Sequence, residues 1–150
     1  GTDWLAASTY ENIDPRNSIQ YLFDGNTNFG IDAPPGETVK VEWPSGTIQG
    51  DVRIWTDEAG SPGNLVANGN QSVVPTRGGW TDLGNIDLIS IELHCPSAGN
   101  RLVAYAIELN GEILVQPGGY GPSGWHLPFD KNGPCVNYSR MREGITWDAI

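Results

Sequence analysis

The feature that most narrows the fold is a period of two in the apolar residues. Val39, Val41 and Trp43 alternate with Lys40 and Glu42. Side chains on a strand point alternately to opposite faces, so this segment reads as a half-buried strand with Trp43 on the inward side. Pro44 ends it, because proline has no N–H to give to a ladder. The pattern returns in "GDVRIWTDEAG", with Val52 and Ile54 on one side and Arg53 and Trp55 on the other. "NLVANGNQSVV" reads as a hairpin with its tip at Asn68-Gly69 or Gly69-Asn70. "GGWTDLGNIDLISIELHC" holds the clearest strand. In it Ile89, Ile91, Leu93 and Cys95 share one face, and Ser90, Glu92 and His94 share the other.

"AIELNGEILV" (Ala106 to Val115) is a further hairpin. Asn110-Gly111 suits a type I′ turn, which needs positive φ at both central positions. That loop sets Leu109 opposite Glu112, Glu108 opposite Ile113, Ile107 opposite Leu114 and Ala106 opposite Val115. Tyr105, Ile107, Leu109 and Leu114 then share one face. Ala104, Ala106, Ile113 and Val115 share the other, with Glu108 among them. Both faces are largely apolar, so the hairpin is expected to be central and covered on both sides.

No segment carries a helical apolar period over ten or more residues. Short strands at about 8–14-residue spacing, with turns between, predict an all-β chain folded as an antiparallel β-sandwich or jelly roll. The organisation expected is an N-terminal arm over 1–20, a sandwich core over 21–117 and an extended, Gly/Pro-rich tail over 118–150. The tail is expected to pack on the core or on a neighbouring subunit. The chain begins with Gly1 and shows no leader-like segment, which suggests a processed product, a domain or a piece of a longer polypeptide. No apolar run approaches the length of a membrane span.

Eight Lys and Arg stand against 18 Asp and Glu, a formal net charge of −10. A phosphate-binding surface needs clustered basic residues, and there is no such run, so nucleic acid and anionic membrane are set aside as partners. The acidic balance helps solubility and suits a salty or extracellular setting.

No hydrolase elbow, P-loop, dinucleotide glycine motif or paired-cysteine zinc pattern is present. His94 and Cys95 fall on opposite faces of their strand and so cannot act together as a nucleophilic pair. Carboxylates are plentiful, but no spacing singles out a glycosidase pair. No enzymatic activity is expected. Cys95 and Cys135 allow one disulfide or two buried thiols. In "DGNTNFG", Asp24, Asn26 and Asn28 alternate like the start of a calcium loop, but Phe29 and Pro35 stand where an EF-hand needs Gly and Glu. Two readings remain. One is a turn held by its own Asx side chains. The other is a structural Ca2+ site using Asp24, Asn26, Asn28 and Glu108, and no other cofactor is expected.

Six Trp and five Tyr are many for this length. Aromatics outside the core stack on sugars, anchor interfaces, or cap the ends of their own sandwich. Trp4, Trp55, Trp80, Tyr120, Trp125, Phe129 and Trp147 are the candidates for glycan or interface contact.

Three stretches resemble a known family when taken in order. "YLFDGNTN" resembles the opening of discoidin-like, or galactose-binding-like, β-sandwich domains. "AYAIELNGEILV" resembles their late hairpin, and "GWHLPFDKNG" resembles the segment after that hairpin in virion structural proteins of cyanophages and marine phages. The resemblance covers about Tyr21 to Asn132. It implies a non-enzymatic component of a virion, such as a tail fibre, adhesin or capsid decoration, located on the extracellular particle. Its partners would be other virion proteins and further copies of itself, with host surface glycan as a target. The alternative function is a carbohydrate-binding module. The family carries no common set of ligand residues to transfer.

Overall fold

A computed structural model describes residues 1–118. Each alternating run becomes a strand. In chain order they are β1 (Thr9–Glu11), β2 (Glu37–Glu42), β3 (Gln49–Ala59), β4 (Leu65–Ala67), β5 (Gln71–Val73), β6 (Gly79–Asp87), β7 (Ser90–Cys95), β8 (Arg101–Leu109) and β9 (Glu112–Ile113). One sheet has the order β1-β2-β7-β4-β5 and the other β6-β3-β8-β9. All strand pairs are antiparallel. The all-β, two-sheet sandwich expected from the period of two is the architecture found.

The core lies between the sheets. Val39, Val41, Leu65, Ala67, Ile91 and Leu93 from the first meet Val52, Ile54, Leu83, Leu102, Ala104 and Ile107 from the second. Each fully buried Leu or Ile stabilises the fold by about 1.5–3 kcal/mol.

The run Gly79–Cys95 is two strands, one in each sheet, and not one strand. The chain crosses between sheets at Leu88 and Ile89. Ile89 therefore lies outside β7 and is 41% exposed, while Ile91, Leu93 and Cys95 are buried as expected. A side chain far along the chain holds this corner. Asn68 sits at the tip of the β4–β5 hairpin with φ 54°. Its amide donates to the Asp87 carbonyl at 2.9 Å, and its oxygen accepts from the N–H groups of Ile89 (2.8 Å) and Ser90 (3.2 Å).

The late hairpin forms with the expected register, Leu109 opposite Glu112 and Glu108 opposite Ile113. Two features differ from expectation. Pairing of β3 with β8 shifts at Trp55/Thr56, which face Ala106 and Ala104, so Tyr105 is the extra residue of a bulge. The bulge reverses the alternation: Leu102 and Ala104 point inward before it, and Ile107 after it. Tyr105 thus leaves the face of Ile107. The hairpin is also central on one side only. β9 is an edge strand of two residues, and Ile113 (37%) and Val115 (38%) are exposed. Val115 turns away from Ala106 to bridge Asp24.

The first twenty residues are part of the sandwich and do not form a separate arm. Asp3 caps a single helical turn, α1 (Trp4–Ala7), by accepting from the Ala6 N–H at 3.0 Å. β1 then extends the first sheet beside β2. Trp4 is buried and stacks on Phe23, with centroids 6.0 Å apart and planes 11° apart. Trp43 is buried as expected, and its indole N–H finds an acceptor in Ser8 Oγ at 2.7 Å. A buried Trp needs such a partner, and here the N-terminal segment supplies it.

A polar network fixes the same segment. Asp32 is fully buried and accepts from Asn17 Nδ2 and Arg101 Nε, each at 2.6 Å. The backbone N–H of Asp14 donates to the Asp32 carbonyl at 2.8 Å. Asp14 accepts from the Arg16 side chain and backbone, which lower its pKa to about 2 from an ordinary 3.8. A carboxylate lowered on folding stabilises fully above its unfolded value, and the contribution disappears as pH falls through the folded value. Asp14→Asn is therefore expected to flatten the loss of stability between about pH 4 and pH 2. Urea midpoints across that window check it. Equally steep curves for both proteins would show that the pair contributes nothing there.

Candidate functional site: the outer face of the four-stranded sheet

β3 is central in its sheet, with β6 on one side and β8 on the other. Its even positions Val52 and Ile54 enter the core, so Arg53 and Trp55 face outward. Trp55 lies opposite Trp80 on β6 and Ala106 on β8, and Arg53 lies opposite Asp82 and Glu108. The outer face thus carries two rows, Trp80–Trp55–Ala106 and Asp82–Arg53–Glu108. Neighbouring strands are about 4.8 Å apart, so each row spans about 10 Å.

Every group in these rows is braced. Arg53 donates through Nε and Nη2 to the two oxygens of Glu108, both at 2.7 Å. Its guanidinium also lies 4.8 Å from the centroid of the Trp80 ring. A fork-to-carboxylate pair and a cation–π contact together fix a side chain that would otherwise sample many rotamers. Arg53 holds the Glu108 carboxyl below its ordinary pKa. Tyr105, turned out by the bulge, meets Trp55 edge-on, with centroids 5.2 Å apart and planes at 85°. Burial raises the pKa of the Tyr105 hydroxyl, and Asp57 adds to the effect. Trp55, Trp80 and Tyr105 all remain half-buried. Beside the aromatic row runs an open groove of about 540 Å³, lined by Asp51, Arg53, Asp82, Glu108 and Asn110.

The remaining candidates are placed elsewhere. Trp4 belongs to the core and is nine-tenths buried, away from this face. Tyr120, Trp125, Phe129, Trp147 and Cys135 lie outside the described residues, as does the tail over 119–150. Cys95 is a buried thiol 3.4 Å from the Ser97 carbonyl, and His94 is exposed on the opposite side of β7 with Nδ1 2.8 Å from Thr38 Oγ1.

Asp24, Asn26 and Asn28 form linked Asx turns. Asp24 Oδ1 accepts from the Asn26 N–H at 3.1 Å, and Asn26 Oδ1 accepts from the Asn28 N–H at 3.0 Å. Burial raises the Asp24 pKa against those hydrogen bonds. Glu108 does not join them, because both of its oxygens are on Arg53. Among the described residues no group of three or more His, Cys, Asp or Glu is arranged to hold a metal ion.

Glu108 pairs with Arg53 and not with the Asp24 turn, and no local spacing marks Arg53, Asp82 or Tyr105 as members of a site. Arg53 and Trp55 were visible as face-mates. Their meeting with Glu108 and Trp80 required knowing that β3 sits between β8 and β6.

Fold and face together define a two-sheet antiparallel β-sandwich that presents a braced aromatic and charged surface on one sheet. No family model, curated protein or solved structure matches the chain.

Proposed function

We propose that this protein is a non-enzymatic glycan-binding module, with the outer face of the β6-β3-β8-β9 sheet as its binding surface. The observation that carries this reading is the cross-strand pair Trp80–Trp55 beside the clamped Arg53–Glu108 pair. Indoles stack on the C–H faces of a pyranose, and fixed donors and acceptors read its hydroxyls. Preorganised side chains lose little entropy on binding. Glu108 is held as an ionised carboxylate, which suits hydroxyl recognition and does not suit a general acid.

A glycan array followed by calorimetry tests the reading. Trp80→Ala and Trp55→Ala are expected to weaken binding about tenfold each, the worth of an aromatic contact of up to about 1.5 kcal/mol. Circular dichroism should show both variants folded, since neither ring is in the core cluster. Sugar affinity unchanged in both variants would exclude this face.

The setting we propose is an extracellular phage particle, where the module assembles with other virion proteins and further copies of itself and meets host glycan. The resemblance motivates this setting, and two of the three stretches that carry it lie together in the fold: Asp24 of "FDG" bridges Val115 at the end of the late hairpin, and the Gln116 N–H donates to the Phe23 carbonyl at 2.9 Å. Labelled electron microscopy of particles would locate the chain on capsid or tail. Absence from every particle, with a monomer at high concentration, would remove the virion setting and leave the glycan reading standing.

A further inference from the structure

The charge around the aromatic row bears on which glycans it accepts. Asp82 and Glu108 flank Arg53 across β3, Asp51 lies two residues before it, and Asp57 lies two residues beyond Trp55. Two carboxylates thus flank the guanidinium directly, and two more lie along β3 on either side of the two rows. That guanidinium has Nε and Nη2 committed to Glu108 and its face against Trp80. Nη1 makes no hydrogen bond to protein among the described residues, so both of its N–H groups are left to donate. Asp82 Oδ1 accepts from the Gly84 N–H at 2.8 Å, and the other oxygen makes no side-chain or backbone hydrogen bond among the described residues. A donor and an acceptor therefore stand side by side at one register position, at the margin of the two indoles.

Resting on the glycan reading of this face, we infer that the site selects uncharged sugars. A neutral pyranose lies on Trp80 and Trp55, and adjacent hydroxyls face Arg53 Nη1 and the Asp82 carboxylate. Uronic acids and sulfated or phosphorylated sugars are rejected. A hydroxyl is both donor and acceptor, so a neighbouring pair of hydroxyls can satisfy Nη1 and Asp82 together. A sugar carboxylate or sulfate is an acceptor only. It can meet Nη1 but leaves Asp82 facing a like charge. The single guanidinium does not offset this, because its charge is already neutralised by Glu108. The chain as a whole, at a formal −10, adds repulsion at longer range.

The test uses matched pairs that differ only in the acid group: oligogalactosides against oligogalacturonates, and cello-oligosaccharides against their uronates, by calorimetry at low and high salt. The neutral member is expected to bind about tenfold more tightly at low ionic strength, with the gap narrowing as salt screens the carboxylates. Asp82→Asn is expected to bring the neutral-to-acidic affinity ratio toward one, whatever happens to either affinity alone. Equal or tighter binding of the acidic members, or a ratio unmoved by salt and by the substitution, would overturn the charge selection while leaving this face a glycan site. Failure of every neutral and acidic sugar at millimolar concentration would overturn the glycan reading and this inference with it.

Discussion

Arg101→Leu is expected to cost about 3–5 kcal/mol of folding stability, the usual penalty for breaking a buried ion pair from one side. Asp32 has no exposed surface, and its partners are Asn17 and Arg101. Removing the guanidinium leaves a carboxylate in the interior with one amide hydrogen bond. The damage should spread beyond the pair, because Asp32 joins three segments. Its carbonyl holds the Asp14 N–H, its side chain holds Asn17, and its ion pair reaches the start of β8. Urea unfolding should show a much lower midpoint with an unchanged slope. In an Asp32→Asn background the same arginine substitution should cost under about 1 kcal/mol, since no charge is then stranded. If Arg101→Leu costs as little in the native background as it does beside Asp32→Asn, the pair is not coupled and the network is incidental.

Gly30→Ala should destabilise by about 3 kcal/mol, a fall in melting temperature of about 10 °C. Gly30 has an ordinary φ, so the reason is space and not conformation. A Cβ there would run into the Ala104 carbonyl oxygen and come within 2.7 Å of Val103 Cγ1. The carbonyl cannot give way. It already accepts from the Ile31 N–H at 2.8 Å, and the Ala104 N–H returns a bond to the Ile31 carbonyl at 3.0 Å. These bonds seat the loop after the Ile19–Phe23 turn against β8, so the added methyl must break them or bend the strand. Gly36→Ala provides the comparison. Gly36 has φ 85° and open space where a Cβ would sit, so alanine there meets only backbone strain of about 1 kcal/mol. Equal melting temperatures for the two variants would refute the packing argument.

Much of the architecture was readable because strand alternation is a local property. Val39/Val41/Trp43, Val52/Ile54 and Ile91/Leu93/Cys95 all face the core as their spacing requires. Asn110-Gly111 turns where a type I′ loop demands it, with φ values of 52° and 86°. Readings failed where a distant part of the chain set the outcome. Ile89 matched the apolar phase of β7, yet the chain changes sheets there under the hold of Asn68. Tyr105 matched the phase of Ile107, yet a bulge against β3 inserts it as an extra residue. Trp4 stood in a polar, non-periodic stretch, and only its stacking on Phe23 and the link through Ser8 to Trp43 explain its burial.

The sequence by itself determined the class of fold and the outward direction of Arg53 and Trp55. Both follow from the pleat of a single strand, which any reader of the chain can apply. Tertiary structure alone decided which strands lie side by side. That order brings Trp80, Asp82 and Glu108 to the same face, because residues 25 to 55 positions apart become register partners across β3. Cross-strand neighbours depend on sheet order and register, and no local spacing encodes either.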